Sequence, residues 1–429
     1  MDVKFRVNMA SIHLTLLYAV WFILTYFFML TILTLLRNRS DFNRPPAGPP
    51  RELPRVSIVV PAYNEEACIA DTIESCLSLN YPRGKLDVIV VNDGSKDRTG
   101  EVCERYAGEG RIIYLENNPN MGKSAALNRG FRAAETEYVA TIDADTVVEE
   151  DILHKVLPYF SSEDIAAVTV AIKVKEARNL LQKVVAVEYE LGNGFYNKIL
   201  SYLNCLFVTP GQFSIYRRDK VLELGGFDQS NIVEDTEIAY RMHKKGLKIA
   251  CCPSAKAYTL IPSTPKGLYY QRKRWYTGTI QTIMQHRDVV FNPKMGAFGM
   301  YFVPFNYGGT VLATLLSISL LTIMLNNASI TVSNMNLIRF DVMPMLKPSL
   351  TGDTVDPLLI SMYYFLGLTP LFLHATTSYL GLKRMGNRLR DNILGFAGFM
   401  LFFIPYQIMW ILCMYFTAFR REVKWRAGM

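Results

Sequence analysis

Four long apolar stretches punctuate the chain, and between the first two lies a polar segment in which strand-type and helix-type patterns alternate. Leu14 to Leu36 carries no charged side chain over 23 residues, enough to cross a hydrocarbon core of roughly 30 Å as a helix. Comparable uncharged runs fall at Ala297 to Leu325, Pro357 to Leu382 and Asn392 to Phe419, the last broken by Pro405. Pro54 to Lys294 has ordinary charge, regular turn signals and the size of one large α/β domain.

Within that domain, Val56 to Val60 is an apolar, β-branched run interrupted by Ser57 alone, the pattern of a strand buried on both faces of a mostly parallel sheet. Ile69, Ile73 and Leu77 follow at helical spacing. Leu86 to Val91 predicts a second strand, with Asp97 or Thr99 capping the next helix. Ile112 to Leu115, the helix Gly122 to Ala134 and the strand Tyr138 to Ile142 complete four alternations. Such alternation implies right-handed crossovers and an open, doubly wound sheet.

Further on the pattern is less regular. Ile165 to Val174 and Phe213 to Tyr216 read as strands, and Val233 to Lys245 as a helix. Leu180 to Leu203 is helical, aromatic and too polar to span a membrane, so it either lies in the membrane interface or packs on the sheet.

Composition sharpens the topology. The apolar fraction of 50% is high for a soluble protein, and much of the net charge of +8 flanks the apolar runs, which favours anionic headgroups over nucleic acid. Arg37, Arg39 and Arg44 behind the first run hold the following domain in the cytoplasm by the positive-inside rule. Lys383, Arg384, Arg388 and Arg390 agree with three crossings after that domain. The basic tail Arg420, Arg421, Lys424 and Arg426 runs against that count, as a kinked or re-entrant last run would explain. The seven cysteines form no CxxC pair, and in a cytoplasmic domain reduced thiols are expected.

The candidate chemistry sits where strands end. In doubly wound sheets, ligands bind outside the carboxyl ends of the strands. Tyr63 and Glu65 follow the first strand, Asp93 the second, and Asp143 with Asp145 the fourth. Two aspartates one residue apart suit a divalent metal, and equally a capped turn. No GxGxxG follows a strand, and Asn120 to Ser124 lacks the length of a P-loop. Asp235 is a helix cap or a catalytic carboxylate. Gln271 to Trp275 is an interfacial anchor, or else its Arg and Trp reach the site to meet phosphate and sugar.

Taken in order, VPAYNE, VNDGS, NMGKSAALN, DAD, VED and QRKRW from Val56 to Trp275 resemble the membrane-embedded, processive branch of family 2 inverting glycosyltransferases. Poly-N-acetylglucosamine synthases are the most similar, with hyaluronan, chitin and cellulose synthases further away. The resemblance implies an α/β GT-A fold, with the cytoplasmic domain at 54–260, interfacial helices at 179–203 and 265–290, and membrane helices at 14–36, 297–325, 357–382 and 392–419. It implies that Pro61, Tyr63, Glu65 and Asp93 hold the uridine of a UDP-sugar, with Lys123 near the nucleotide. Asp145, with Asp143, would bind Mg²⁺ or Mn²⁺ on the diphosphate, Asp143 acting from nearer the ribose. Asp235, beside Glu234, would be the base that deprotonates the acceptor, and Gln271, Arg274 and Trp275 would line the junction of diphosphate and acceptor sugar.

The implied protein is a multi-pass enzyme of the cell membrane that extends a β-linked hexosamine polymer and passes it across the bilayer, alone, as a homo-oligomer or with an accessory subunit. Single transfer to a polyprenyl phosphate or glycolipid is the alternative, and a non-catalytic scaffold a third. Two positions depart from the pattern: Val233 stands where relatives often carry Thr, and Pro210 where they often have a Gly-Thr type turn.

Overall fold

The computed structural model describes residues 3–45, 48, 52–337, 357–387, 389–401, 408–409 and 411–413. They fall into two units, residues 1–32 with 304–377, and residues 33–303 with 378–429.

The larger unit is built on one sheet. Its strands among the described residues are β1 (Val56–Ala62), β2 (Leu86–Asn92), β3 (Ile113–Glu116), β4 (Tyr138–Thr141), β5 (Val147–Val148), β6 (Ile165–Val174), β7 (Ser214–Arg217) and β8 (Lys248–Thr259), in the order β3-β2-β1-β4-β7-β6-β8-β5. The first four are parallel, as the repeated strand and helix pattern predicts. The Val and Ile runs of β1 and β2 are buried on both faces because helices cover each side, whereas β3 at the edge is partly exposed. Ile58 packs with Ile69 and Ile73 of the helix Ile69–Leu77, whereas Val59 faces Gly130 of the helix Lys123–Ala133.

Beyond β4 the direction changes. β7 runs antiparallel to β4 and to β6, and β6 pairs in parallel with β8. The sequence reading did not include β5 or β8. Pro253 interrupts β8, and the ladder accommodates it with a shift between Val170/Cys252 and Ala171/Lys256, leaving three residues bulged out.

The segment from Leu180 is a helix to Tyr189, a π-helical stretch Glu190–Tyr196 and a helix Asn197–Tyr202. Asn179 and Gln182 form a capping box at its start. Val185 and Tyr189 join the main core, while Val187, Leu191, Phe195 and Ile199 join a second core with Leu35, Phe42, Leu382 and Met385. The helix Ile393–Leu401, the first part of the fourth apolar run, lies along Leu180–Tyr189, with Asn392 Nδ2 donating to the Lys183 carbonyl at 3.0 Å. Most of the rest of that run and the basic tail lie outside the described residues. All seven cysteines are free thiols.

In the smaller unit, His13 Nδ1 is 3.2 Å from Ser319 Oγ, Trp21 lies 5.8 Å from the Phe365 ring, and Val20 packs with Ala313 and Leu316. Among the described residues two helices are long and apolar enough to cross a membrane, Ser11–Arg37 and Phe298–Ile330. The third apolar run forms one 28-residue helix, Pro357–Arg384, with Pro370 inside it.

Candidate active site

The register of β4 against β7 places the site. Thr141, the last residue of β4, pairs with Ser214, the first of β7. The segment leaving β4, which carries Asp143 and Asp145, therefore emerges at the same edge as the segment entering β7, Thr209 to Phe213.

That entering loop joins two of the acidic motifs. Thr209 donates both its backbone N–H and its hydroxyl to the Asp235 carbonyl, at 3.1 and 2.9 Å. Two residues later Gly211 lies against Lys123 and Asp143: a Cβ built there would be 2.5 Å from Lys123 Nζ and 3.1 Å from Asp143 Oδ1. The Pro210 carbonyl accepts from Ser214 Oγ at 2.9 Å, which fixes the loop between them.

Lys123 is the cation at the centre. Its Nζ is 2.6 Å from Asp143 Oδ1 and 2.9 Å from Glu234 Oε1. Burial opposes its charge, yet Asp143, Glu234 and Asp235 together hold its pKa above the ordinary value. Lys123 opens its helix because the preceding loop is held by Asp93. One carboxylate oxygen accepts from Asn117 Nδ2 at 2.8 Å and from the Met121 N–H at 3.1 Å, the other from the Gly122 N–H at 2.7 Å.

The carboxylates are crowded. Burial pushes Asp145 up to about 6, with the charge of Asp143 adding to it, although Thr146 and Thr259 hydroxyls reach its Oδ1 at 3.1 and 3.3 Å. Glu65, at the end of β1, is pushed up to about 7 by burial and by the charges of Asp145, Asp143 and Asp97. Asp235 stands at the start of the helix Glu234–Lys244, pushed up to about 6 by burial and the neighbouring Glu234, against the pull of Lys123 and Arg274. Asp235 and Arg274 are thus within electrostatic reach of each other.

Pro61 is in β1 opposite Val91, and Tyr63 follows the strand. Gln271, Arg274 and Trp275 lie on the helix Pro265–Gln285. Tyr189 links this helix to the strand-end acids: it feels the charges of Arg272, Glu188 and Asp145, and its ring is 6.2 Å from that of Trp275. Among the described residues, no group of three or more His, Cys, Asp or Glu side chains is arranged to hold a metal ion.

Thr209, Gly211 and Tyr189 were not among the candidate site residues read from the sequence. Thr209 and Gly211 lie in a stretch whose turn chemistry was visible but whose partners are set by the antiparallel β7 alone.

A family profile described as "Glycosyltransferase like family 2" matches residues 54–278. The chain is 29% identical over 268 residues to the poly-beta-1,6-N-acetyl-D-glucosamine synthase of Staphylococcus aureus, an alignment covering 62% of this chain and 64% of that protein. The synthase of the same name from Staphylococcus epidermidis is 29% identical over 256 residues, covering 58% and 60%. The chain therefore spans somewhat less than two thirds of these relatives. Among solved structures, the mannosyltransferase PcManGT from Pyrobaculum calidifontis, in complex with GDP-Man and Mn²⁺, aligns over 86% of this chain and 97% of its own, with a TM-score of 0.57 and 21% identity. That likeness establishes the GT-A fold.

Proposed function

The chain belongs to glycosyltransferase-like family 2, and from that premise we propose that it is an inverting hexosyltransferase. In this reading it moves a sugar, GlcNAc, from a UDP-sugar to the non-reducing end of a growing β-linked polysaccharide and passes the product across the cell membrane. The observation that carries the reading is the loop Thr209 to Gln212, which ties the backbone of Asp235 at one end and abuts the Lys123–Asp143 pair at the other. A base and a phosphate-binding cation are thereby brought to one edge by four consecutive residues.

The chemistry follows from that arrangement. The acceptor hydroxyl attacks the anomeric carbon from the face opposite UDP, the bond from that carbon to the diphosphate oxygen breaks, and the hydroxyl proton passes to Asp235. A carboxylate pushed up to about 6 is a stronger base than an ordinary aspartate and is still ionised at neutral pH. Lys123 and Arg274 supply the positive charge that the departing diphosphate requires. Pro61, Tyr63, Glu65 and Asp93 form the uridine end, Asp93 through the loop it holds. Gln271 and Trp275 receive the acceptor sugar.

Mg²⁺ or Mn²⁺ fits this donor set. Asp143 and Asp145 are two carboxylates separated by one residue, burial and the charge of Asp143 disfavour the charge of Asp145, and Mg²⁺ commonly takes its remaining ligands from phosphates and water. Bound there, the ion would act as a Lewis acid on the diphosphate.

The decisive experiment measures UDP release from UDP-GlcNAc, UDP-Glc and UDP-GlcA by the detergent-purified protein, with sizing of the product. UDP-GlcNAc is expected to be preferred and the product to be a long polymer. A disaccharide or a lipid-linked monosaccharide as the sole product would overturn processivity in favour of single transfer.

A further inference from the structure

The helix Pro265–Gln285 buries a guanidinium that the proposed chemistry does not use. Arg272 is the largest fully buried side chain among the described residues, only 1% exposed. An isolated cation at such a position is costly, so it needs a partner. Its Nη2 lies 2.8 Å from Glu188 Oε2, a carboxylate 84 residues upstream on the helix Leu180–Tyr189. Its Cζ lies over the Trp275 ring, 4.0 Å from the centroid, within cation–π range.

The spacing puts the two side chains within reach once the helix forms. Positions 272 and 275 are three apart and therefore neighbours on the helix surface. Tyr189, next to Glu188, stands 5.9 Å from Arg272 Cζ and 6.2 Å from the Trp275 ring. One face of the indole is thus occupied by a planar cation, and that cation is pinned by a carboxylate from a different helix.

We propose that Arg272 is a positioning residue: held by Glu188, it sets the tilt of Trp275 and so the platform on which the acceptor sugar rests. This rests on the assignment of Trp275 to the acceptor in the proposed function. The charge of Arg272 alone is not what matters. Its plane is, because a flat guanidinium fixes a flat ring in a way that a lysine ammonium does not.

The test uses the full chain in lipid nanodiscs, with UDP release followed against a short β-linked GlcNAc oligomer at saturating UDP-GlcNAc, and then against UDP-GlcNAc at saturating oligomer. Arg272→Lys and Glu188→Gln are expected to raise the oligomer KM about tenfold, the scale of one desolvated cation–π contact, while the UDP-GlcNAc KM stays within about twofold. The charge swap Glu188→Arg with Arg272→Glu separates the two roles. It restores an ion pair between the helices but not the stack, so the oligomer KM is expected to stay raised.

A swap that restores the oligomer KM would overturn the proposal and leave Arg272 as an inter-helix anchor. So would variants in which both KM values rise together with a fall in thermal midpoint. Wild-type protein that turns over UDP-GlcNAc with no dependence on the oligomer would instead overturn the acceptor reading, and the platform role with it.

Discussion

The two γ-methyl carbons of Val233 fill the space that a side chain at position 278 would need: a Cβ on Gly278 would lie 2.5 Å from each. The backbone of the helix Pro265–Gln285 therefore comes directly against the residue that precedes the Glu234–Lys244 helix. Asn231 Nδ2 reinforces the junction by donating to Thr282 Oγ1 at 3.0 Å, and Gln285 Nε2 donates to Asp228 Oδ2 at 2.7 Å. The departure at Val233 thus has a packing rationale, since its two methyl groups fit the notch that Gly278 leaves.

Gly278→Ala is accordingly expected to destabilise the protein by about 1–3 kcal/mol, the usual scale of overpacking. Because the strain falls on the residue before Glu234 and Asp235, turnover should fall as well. The double variant with Val233→Ala removes the methyl groups in the way and is expected to recover most of the thermal midpoint. Equal midpoints for the single and double variants would show that the notch is not tight.

Asp235→Asn keeps the shape of the side chain and removes its ability to take a proton. UDP release should fall at least about 100-fold, the scale of a general-base contribution, while UDP binding measured by calorimetry changes little. Unchanged turnover would mean that another group is the base.

Gly211→Ala addresses the other end of the loop. The new methyl group would displace Lys123 Nζ, the far end of a flexible side chain, so the fold should survive while the 2.6 Å pair with Asp143 is lost. UDP affinity is expected to fall about tenfold, in line with the loss of one charge-assisted contact. Lys123→Met should give a loss of similar size, and the two together little more than either alone, because both act on the same cation. Additive losses would separate the two positions.

His243 governs an acid limit of stability. Its Nε2 is 2.7 Å from the Leu206 carbonyl, its ring stacks on Phe298 at 3.9 Å, and burial pulls its pKa down to about 4. The fold holds the neutral imidazole, so protonation favours the unfolded chain. Its stabilising effect is complete above the ordinary value near 6.5 and is lost as pH falls from there toward 4. At about 1.4 kcal/mol per pH unit, the loss approaches roughly 3 kcal/mol at the acid end. His243→Gln, which still donates a hydrogen bond but does not titrate, should flatten the decline in thermal midpoint between pH 6.5 and 4.5. Parallel curves for the two proteins would assign the decline to other groups.

The parallel half of the fold was legible because its strands are mostly apolar runs alternating with helical periodicity, as in Val56–Ala62 with Ile69–Leu77. β8 was not, because Pro253 and alternating polar residues hide a strand that tolerates both through a bulge. At the site, Asp143, Asp145 and Asp235 stand out as carboxylates at element ends. Their connection through Thr209 and Gly211 does not, because hydrogen bonds to a backbone carbonyl leave no mark in residue type and a glycine does not say what it lies against. The tethering of Glu188 to Arg272 is hidden for a related reason: it spans 84 residues and needs both helices in place.

The antiparallel seam between β4 and β7 also bears on how such a chain can diverge. Residues proposed to read the nucleotide come almost entirely before Thr141 or just after it, and those proposed to face the acceptor come after Ser214 in the chain or on the loop leading to it. The two halves meet at one short ladder of four paired residues and at side-chain contacts such as Asn128 with the Phe227 backbone and Lys123 with Glu234. Sequence on the acceptor side is therefore free to drift toward a different polymer while the nucleotide side stays as it is, provided that ladder, those contacts and Gly211 are kept.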